Sequence, residues 1–182
     1  YGSDGLAGAI LYITKDPSDL ASENDFYQSV TAGYDSDNEH SKVSYLAANV
    51  GEKMEGLIQI TARDVSETEL HDDAAKKPNP FSGEQSSIFL KGKYLINDNL
   101  GLTLTYDTQE SEGDWNLNST LGTSGYPQMV STTSSIGDDD ISRDRVSLSL
   151  DFSADSGLFD NGSFSIYSQD TDQRQVTTID LS

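Results

Sequence analysis

The chain has 182 residues, enough for one domain with a core, but only 34% of them are apolar and the mean hydropathy is -0.54. The 31 acidic and 11 basic residues give a net charge of -20, which argues against nucleic-acid binding, because that function needs a basic face. Cysteine is absent, which excludes disulfide bonds and thiolate metal sites. No run of about 18 apolar residues exists to form a transmembrane helix, although a membrane-spanning β-strand needs only about ten residues and one apolar face.

In chain order, the sequence predicts seven β-strands and almost no helix. Short segments rich in Val, Ile, Leu, Tyr, Phe and Thr alternate between apolar and polar residues, which is typical of strands with one apolar face. The clearest example places Leu102, Leu104 and Tyr106 opposite Thr103 and Thr105. The predicted strands cover residues 26–34, 43–51, 55–66, 87–96, 100–109, 143–153 and 163–172.

The connections between these strands alternate between short and long. Residues 51–54 and 97–99 form short turns, whereas residues 67–86 and 110–141 form long polar loops. In an antiparallel sheet this places the short turns at one end and the long loops at the other. Outer-membrane β-barrels have this asymmetry. An acidic extracellular β-sandwich that serves as an adhesin or carbohydrate-binding module is the alternative from another class.

The first residues carry a recognisable motif, YGSDGLAGAI, followed by the strand ILYITK and by Asp16 and Pro17. This stretch resembles the end of the plug domain in TonB-dependent outer-membrane receptors. The sequence GSDGLAGA, followed by TKDP, is most similar to the haem and haemoglobin receptor branch of that family. Its small residues allow tight turns and close backbone approach inside a filled lumen. The motif departs from the family at Ala7, where Gly is commoner. The plug-end residues are Tyr1, Gly2, Ser3, Gly5 and Gly8.

The resemblance implies an all-β fold: a partial transmembrane antiparallel β-barrel, preceded by the last strand of the plug. Residues 1–20 would be the C-terminal end of the plug domain and residues 21–182 the N-terminal part of the barrel. Because such plugged barrels have about 22 strands, about seven strands would form only a fragment. The expected location is the outer membrane of a Gram-negative bacterium. The expected partners are membrane lipid, TonB through regions outside this chain, and haem, haemoglobin or, as an alternative cargo, a ferric siderophore.

No catalytic motif is present, so the sequence predicts a transporter and not an enzyme, with haem or a ferric chelate as cargo instead of a resident cofactor. The candidate ligand-binding residues are His40 and His71, since imidazole suits haem iron, and Trp115, whose ring could contact a flat ligand. All three are expected in outer loops. The acidic clusters 35–39 and 138–140 lack the spacing of a calcium loop, and we interpret them as solvated, so no metal site is predicted.

Overall fold

The computed structural model describes residues 14–23, 25–67, 79–124, 130–153 and 160–182. These residues form one antiparallel sheet of eight strands and two three-residue 3-10 helices, Pro17–Asp19 and Asn118–Thr120. The all-β, barrel-like fold class is therefore confirmed. Within the described ranges, no helix has the length and hydropathy needed to cross a bilayer. The strands are β1 (Asp25–Asp35), β2 (His40–Val50), β3 (Met54–Ser66), β4 (Phe81–Asn97), β5 (Leu100–Asn116), β6 (Gly122–Ser124), β7 (Val130–Ser153) and β8 (Asn161–Leu181).

The long strands follow one another as an antiparallel meander. Each pairs with the next along the chain, and β7 pairs with both β5 and β8. The short strand β6 pairs with residues 130–132 at the start of β7. It lies on the same side of β7 as β5, which pairs with residues 136–152. The β2–β3, β4–β5 and β7–β8 connections therefore lie at one end of the sheet, and β1–β2, β3–β4 and β5–β7 at the other. This is the arrangement that the alternation of short and long connections predicts.

Asn and Asp side chains stabilise two of the hairpin turns. Between β4 and β5, the backbone N–H of Asn99 donates to Oδ1 of Asn97 at 3.0 Å. Between β1 and β2, the N–H of Asp37 donates to Oδ1 of Asp35 at 3.1 Å, and Glu39 has a φ of 48°. Such side-chain bonds replace missing backbone partners where the chain reverses, so these residues fix where each hairpin ends.

Strands β4, β5 and β7 are much longer than the sequence predicts, and the two long loops are correspondingly shorter. Strand β4 begins at Phe81, β5 continues to Asn116, and β7 begins at Val130. These extensions are mainly polar and carry only isolated apolar residues, so they lack the apolar alternation by which strands are recognised. Backbone pairing with the neighbouring strand nevertheless continues, as between Phe81 and Trp115. The predicted bounds of loops 67–86 and 110–141 were therefore wrong, because parts of both ranges belong to strands.

The register separates the sheet into two chemically different faces. On the apolar face, Leu102 pairs with Leu150, which pairs with Phe164. On the polar face, Thr103 pairs with Ser149, which donates to or accepts from Ser165 at 2.8 Å. Among the described residues no second sheet covers the apolar face, where Phe164 is 65% exposed and Val30 71%. This disagrees with the sandwich alternative, which requires a second sheet over the apolar side chains.

Candidate functional site

The polar face is partly covered by residues 14–20, here called the docked segment. The segment contains the 3-10 helix Pro17–Asp19, and its Pro17 is fully buried. Beneath it lie small and aliphatic side chains of β2 and β3, of which Ala48 is 2% exposed and Leu57 7%. Among the described residues, these contacts form part of the only tightly packed core. It is small because the docked segment covers only part of the sheet.

Charged groups fix the docked segment to β4. Asp16 forms ion pairs with Lys91 and with Lys93, the latter at 2.9 Å. Nζ of Lys91 also donates to the backbone oxygens of Thr14 and Lys15, at 3.4 and 3.3 Å. Lys91 and Lys93 are two residues apart, so both point to the polar face. Burial alone raises the pKa of Asp16, but hydrogen bonds and attraction from the two ammonium groups outweigh it and hold that pKa below its ordinary value of 3.8.

A cavity of about 600 Å³ opens beside the docked segment on the polar face. Its basic lining residues are Lys15, Lys42, Arg63 and Arg143, and its acidic one is Asp107. The rest of the lining is mainly hydroxyl, amide and aliphatic side chains. A chain with a net charge of -20 therefore presents a locally basic surface here. Sequence analysis missed this cluster, because an overall charge conceals how charges divide between two faces. The alternation that assigns Thr103 and Thr105 to one face is the signal that could have found it.

His40 is the first residue of β2, and not a loop residue as the sequence suggested. Pairing with Asp35 continues to this position, which brings the residue into the strand. The side chain is half-buried, and its Nδ1 is buried without a hydrogen-bond partner among the described residues. Imidazole nitrogens can bind a metal or exchange a proton, so His40 keeps an unused polar atom at this end of the sheet.

Trp115 also lies in a strand, near the end of β5, which corrects its assignment to a loop. Its ring is 4.2 Å from that of Phe81, centroid to centroid, at an interplanar angle of 35°. The ring of Phe81 lies over Gly83 and Gly113, where an added Cβ would approach it to 2.8 and 2.7 Å. Glycine at both positions makes room for the aromatic pair. The pair therefore forms a fixed apolar patch on an otherwise polar face.

His40 and Trp115 lie on the same face and at the same end of the sheet, but they are not adjacent. Strands β3 and β4 separate them, which corresponds to about 14 Å at ordinary strand spacing. His71 and the plug-end residues Tyr1, Gly2, Ser3, Gly5 and Gly8 lie outside the described residues, and their roles stay predictions. Among the side chains that the structure describes, no group of three or more His, Asp or Glu residues is arranged to hold a metal ion.

Comparison with known proteins gives several weak but consistent similarities. Hemoglobin-binding protein A of Haemophilus influenzae is 29% identical over 119 residues, or 60% of this chain and 12% of that protein. The probable hemoglobin and hemoglobin-haptoglobin-binding protein 1 of the same species is 27% identical over 129 residues, and protein C of that name 26%. The chain thus spans about 12% of the length of these curated relatives. No family model matches the chain.

Proposed function

We propose that this chain is part of an outer-membrane receptor that binds haem or a haem protein and imports haem, or its iron, in a TonB-dependent manner. The observation that carries the proposal is the two-faced sheet, whose apolar side chains are exposed while a chain segment packs on its polar side. This arrangement suits a strand wall between lipid and a filled lumen. Similarity to proteins named for haemoglobin binding supports the same cargo.

In this proposal the apolar face contacts membrane lipid and the polar face lines the lumen. The docked segment is then the end of the plug, held against the wall by Asp16, Lys91 and Lys93. The end of the sheet that carries His40 and Trp115 faces outward, where the long connections would meet the ligand. His40, His71 and Trp115 contribute to ligand contact, with further ligands supplied by parts of the receptor outside this chain.

The direct test is growth of a haem-requiring bacterium that expresses the complete receptor. With TonB present we expect growth on haem and on haemoglobin as the source of porphyrin and iron. Deletion of TonB should abolish that growth, because import would depend on energy coupled to the plug. The same strain without the receptor serves as the negative control.

Two other outcomes would overturn the proposal in different ways. Growth on a ferric siderophore, but never on haem, would show that the cargo is a ferric siderophore, as in the alternative hypothesis. A protein that stays in the aqueous phase without detergent, and that supports growth on neither compound, would contradict the membrane location as well. His40→Ala and His71→Ala should reduce haem-dependent growth only modestly, since ligands elsewhere in the receptor would dominate.

A further inference from the structure

The basic side chains around the polar-face cavity are poorly neutralised. Lys42 and Arg63 are directly paired across β2 and β3, and both line the cavity. Directly opposite residues have their Cβ atoms about 5 Å apart, and like charges at such positions are destabilising. Among the described residues, neither cation has a carboxylate within 4.0 Å. Both side chains are exposed, so solvent reduces the repulsion, but the sheet still holds two positive charges together at a small energetic cost.

Neutral groups around this pair do not remove that cost. Nε of Arg63 donates to Oε1 of Gln85 at 2.6 Å, and its Nη2 donates to the same oxygen. These bonds fix the plane of the guanidinium group without neutralising it. An amide oxygen carries no net charge, so the repulsion between Lys42 and Arg63 remains. A fixed guanidinium beside an ammonium group is well suited to a carboxylate.

Arg143 adds a third cation on the far side of the cavity. Its Nη2 donates to Oδ1 of Asp107 at 2.9 Å, whereas its Nε is buried without a partner among the described residues. Asp107 thus neutralises at most one of the cations. The cavity retains directed N–H donors and an excess of positive charge, in a chain that is strongly acidic elsewhere.

We propose that this cavity binds the carboxylate groups of the transported ligand, with Lys42 and Arg63 as the main contacts and Arg143 as a further donor. The inference rests on the proposed function and deepens it: the bound groups are the two propionates of haem. An entering carboxylate bridges Lys42 and Arg63 and removes their mutual repulsion. The free energy released by that neutralisation contributes to binding instead of to the stability of the empty receptor.

The test uses the purified complete receptor in detergent, titrated with haem and, separately, with haem dimethyl ester, which lacks the propionate charges. The variant is Lys42→Gln combined with Arg63→Gln, and binding is followed by haem absorbance. The control is Arg174→Gln, which removes one cation paired with Asp140 at 3.3 Å on the other face. Thermal unfolding of each empty receptor shows whether the substitutions disturb the fold.

We expect the double variant to bind haem about tenfold more weakly or worse, with binding of the ester unchanged. Its thermal unfolding should occur at the same temperature as that of the wild type or higher, because a repulsion is removed. The Arg174→Gln receptor should bind haem normally. Equal binding of haem and ester by the wild type, or wild-type haem affinity in the double variant, would overturn the inference and leave the proposed function intact. Absence of any haem binding by the wild type would overturn both.

Discussion

The two faces of the sheet differ in what they contact, although they belong to the same strands. On the polar face, Pro17 is fully buried against β2 and β3, and hydroxyl pairs such as Ser44 and Thr61 bond at 2.9 Å. On the apolar face, Leu104 is 52% exposed and Phe26 55%. In a water-soluble protein the reverse is expected, because apolar surface drives packing.

This inversion indicates what the sheet requires from its surroundings. The polar face obtains its order from hydrogen bonds and ion pairs within the chain. The other face also has polar contacts, such as Tyr106 with Asp144 at 3.0 Å. Its aliphatic and phenylalanine side chains form no hydrogen bonds or ion pairs, so they gain stability when another apolar phase covers them. A lipid bilayer is such a phase, and strands with this alternating pattern can place their apolar face against it. The predictions below test whether the two faces respond differently to the same change.

The largest effect is expected for Leu104→Arg compared with Thr103→Arg. Leu104 pairs with Leu148 in the middle of the apolar face, so in the proposed membrane location a charge there would enter hydrocarbon and cost about 2–4 kcal/mol. Thr103 lies on the polar face, where the same side chain would meet water or carboxylates at far smaller cost. The free energy of unfolding of the complete receptor in lipid vesicles provides the measurement. Equal costs at the two positions would contradict the assignment of faces.

A smaller effect is expected for Gly83→Ala. A Cβ at this position would lie 2.7 Å from the backbone oxygen of Glu112 and 2.8 Å from Cζ of Phe81. Displacing the Phe81 ring from Trp115 should cost about 1–3 kcal/mol. Gly92→Ala is the matched control, since nothing lies within 4 Å of its added Cβ. A similar loss of stability in both variants would show that close packing at Gly83 is not the cause.

Asp16→Asn should weaken attachment of the docked segment by about 1 kcal/mol, a modest value because the Asp16 side chain is 38% exposed and solvent screens the ion pairs. Lys91 would then have no carboxylate within 4.0 Å among the described residues, and Lys93 would keep only the more distant Glu55, at 3.9 Å. Hydrogen exchange at the amide of Leu20, which donates to the oxygen of Pro17 at 3.0 Å, reports the docking. Asp19→Asn is the comparison: Asp19 has no ion pair among the described residues, so exchange should change less.

Acid should release the docked segment through the same carboxylate. The pKa of Asp16 in the folded protein lies below 3.8, so the carboxylate contributes stability above that value and loses it as the pH falls through the lower, folded pKa. Exchange at Leu20, corrected for its intrinsic pH dependence, should therefore accelerate as the pH falls below 3.8. In the Asp16→Asn protein this acceleration should be absent. Its persistence would assign the effect to another group.

Strands with one apolar face could be predicted from the sequence, whereas strand segments without an apolar face could not. Leu102, Leu104 and Tyr106 give β5 a clear period of two, and the register places them together on the apolar face, as that pattern predicts. The continuation of β5 is different: Glu110 and Glu112 on one face alternate with Ser111 and Gly113 on the other. Such a segment forms a strand because its neighbours pair with it, and that long-range cause is not visible locally.

The residues of the candidate site could likewise be predicted only in part. The chemistry of imidazole and indole drew attention to His40 and Trp115, but residue type could not place them in strands. Lys42 and Arg63 are 21 positions apart, and only the register between β2 and β3 brings them together. Register depends on hairpin geometry and on which face is covered. A cluster assembled across strands therefore requires the structure.

The most direct test of the account is a comparison of labels at Leu104 and Thr105. This chain has no cysteine, so a single cysteine at either of these adjacent positions is the only thiol within residues 1–182, and any cysteine elsewhere in the complete receptor is first replaced by serine. Each is given a spin label in lipid vesicles, and collisions with oxygen and with a water-soluble nickel complex are measured. The account predicts that oxygen reaches the label at Leu104 preferentially, and that the nickel complex reaches the label at Thr105. Preferential access of the nickel complex to the label at Leu104 would contradict it.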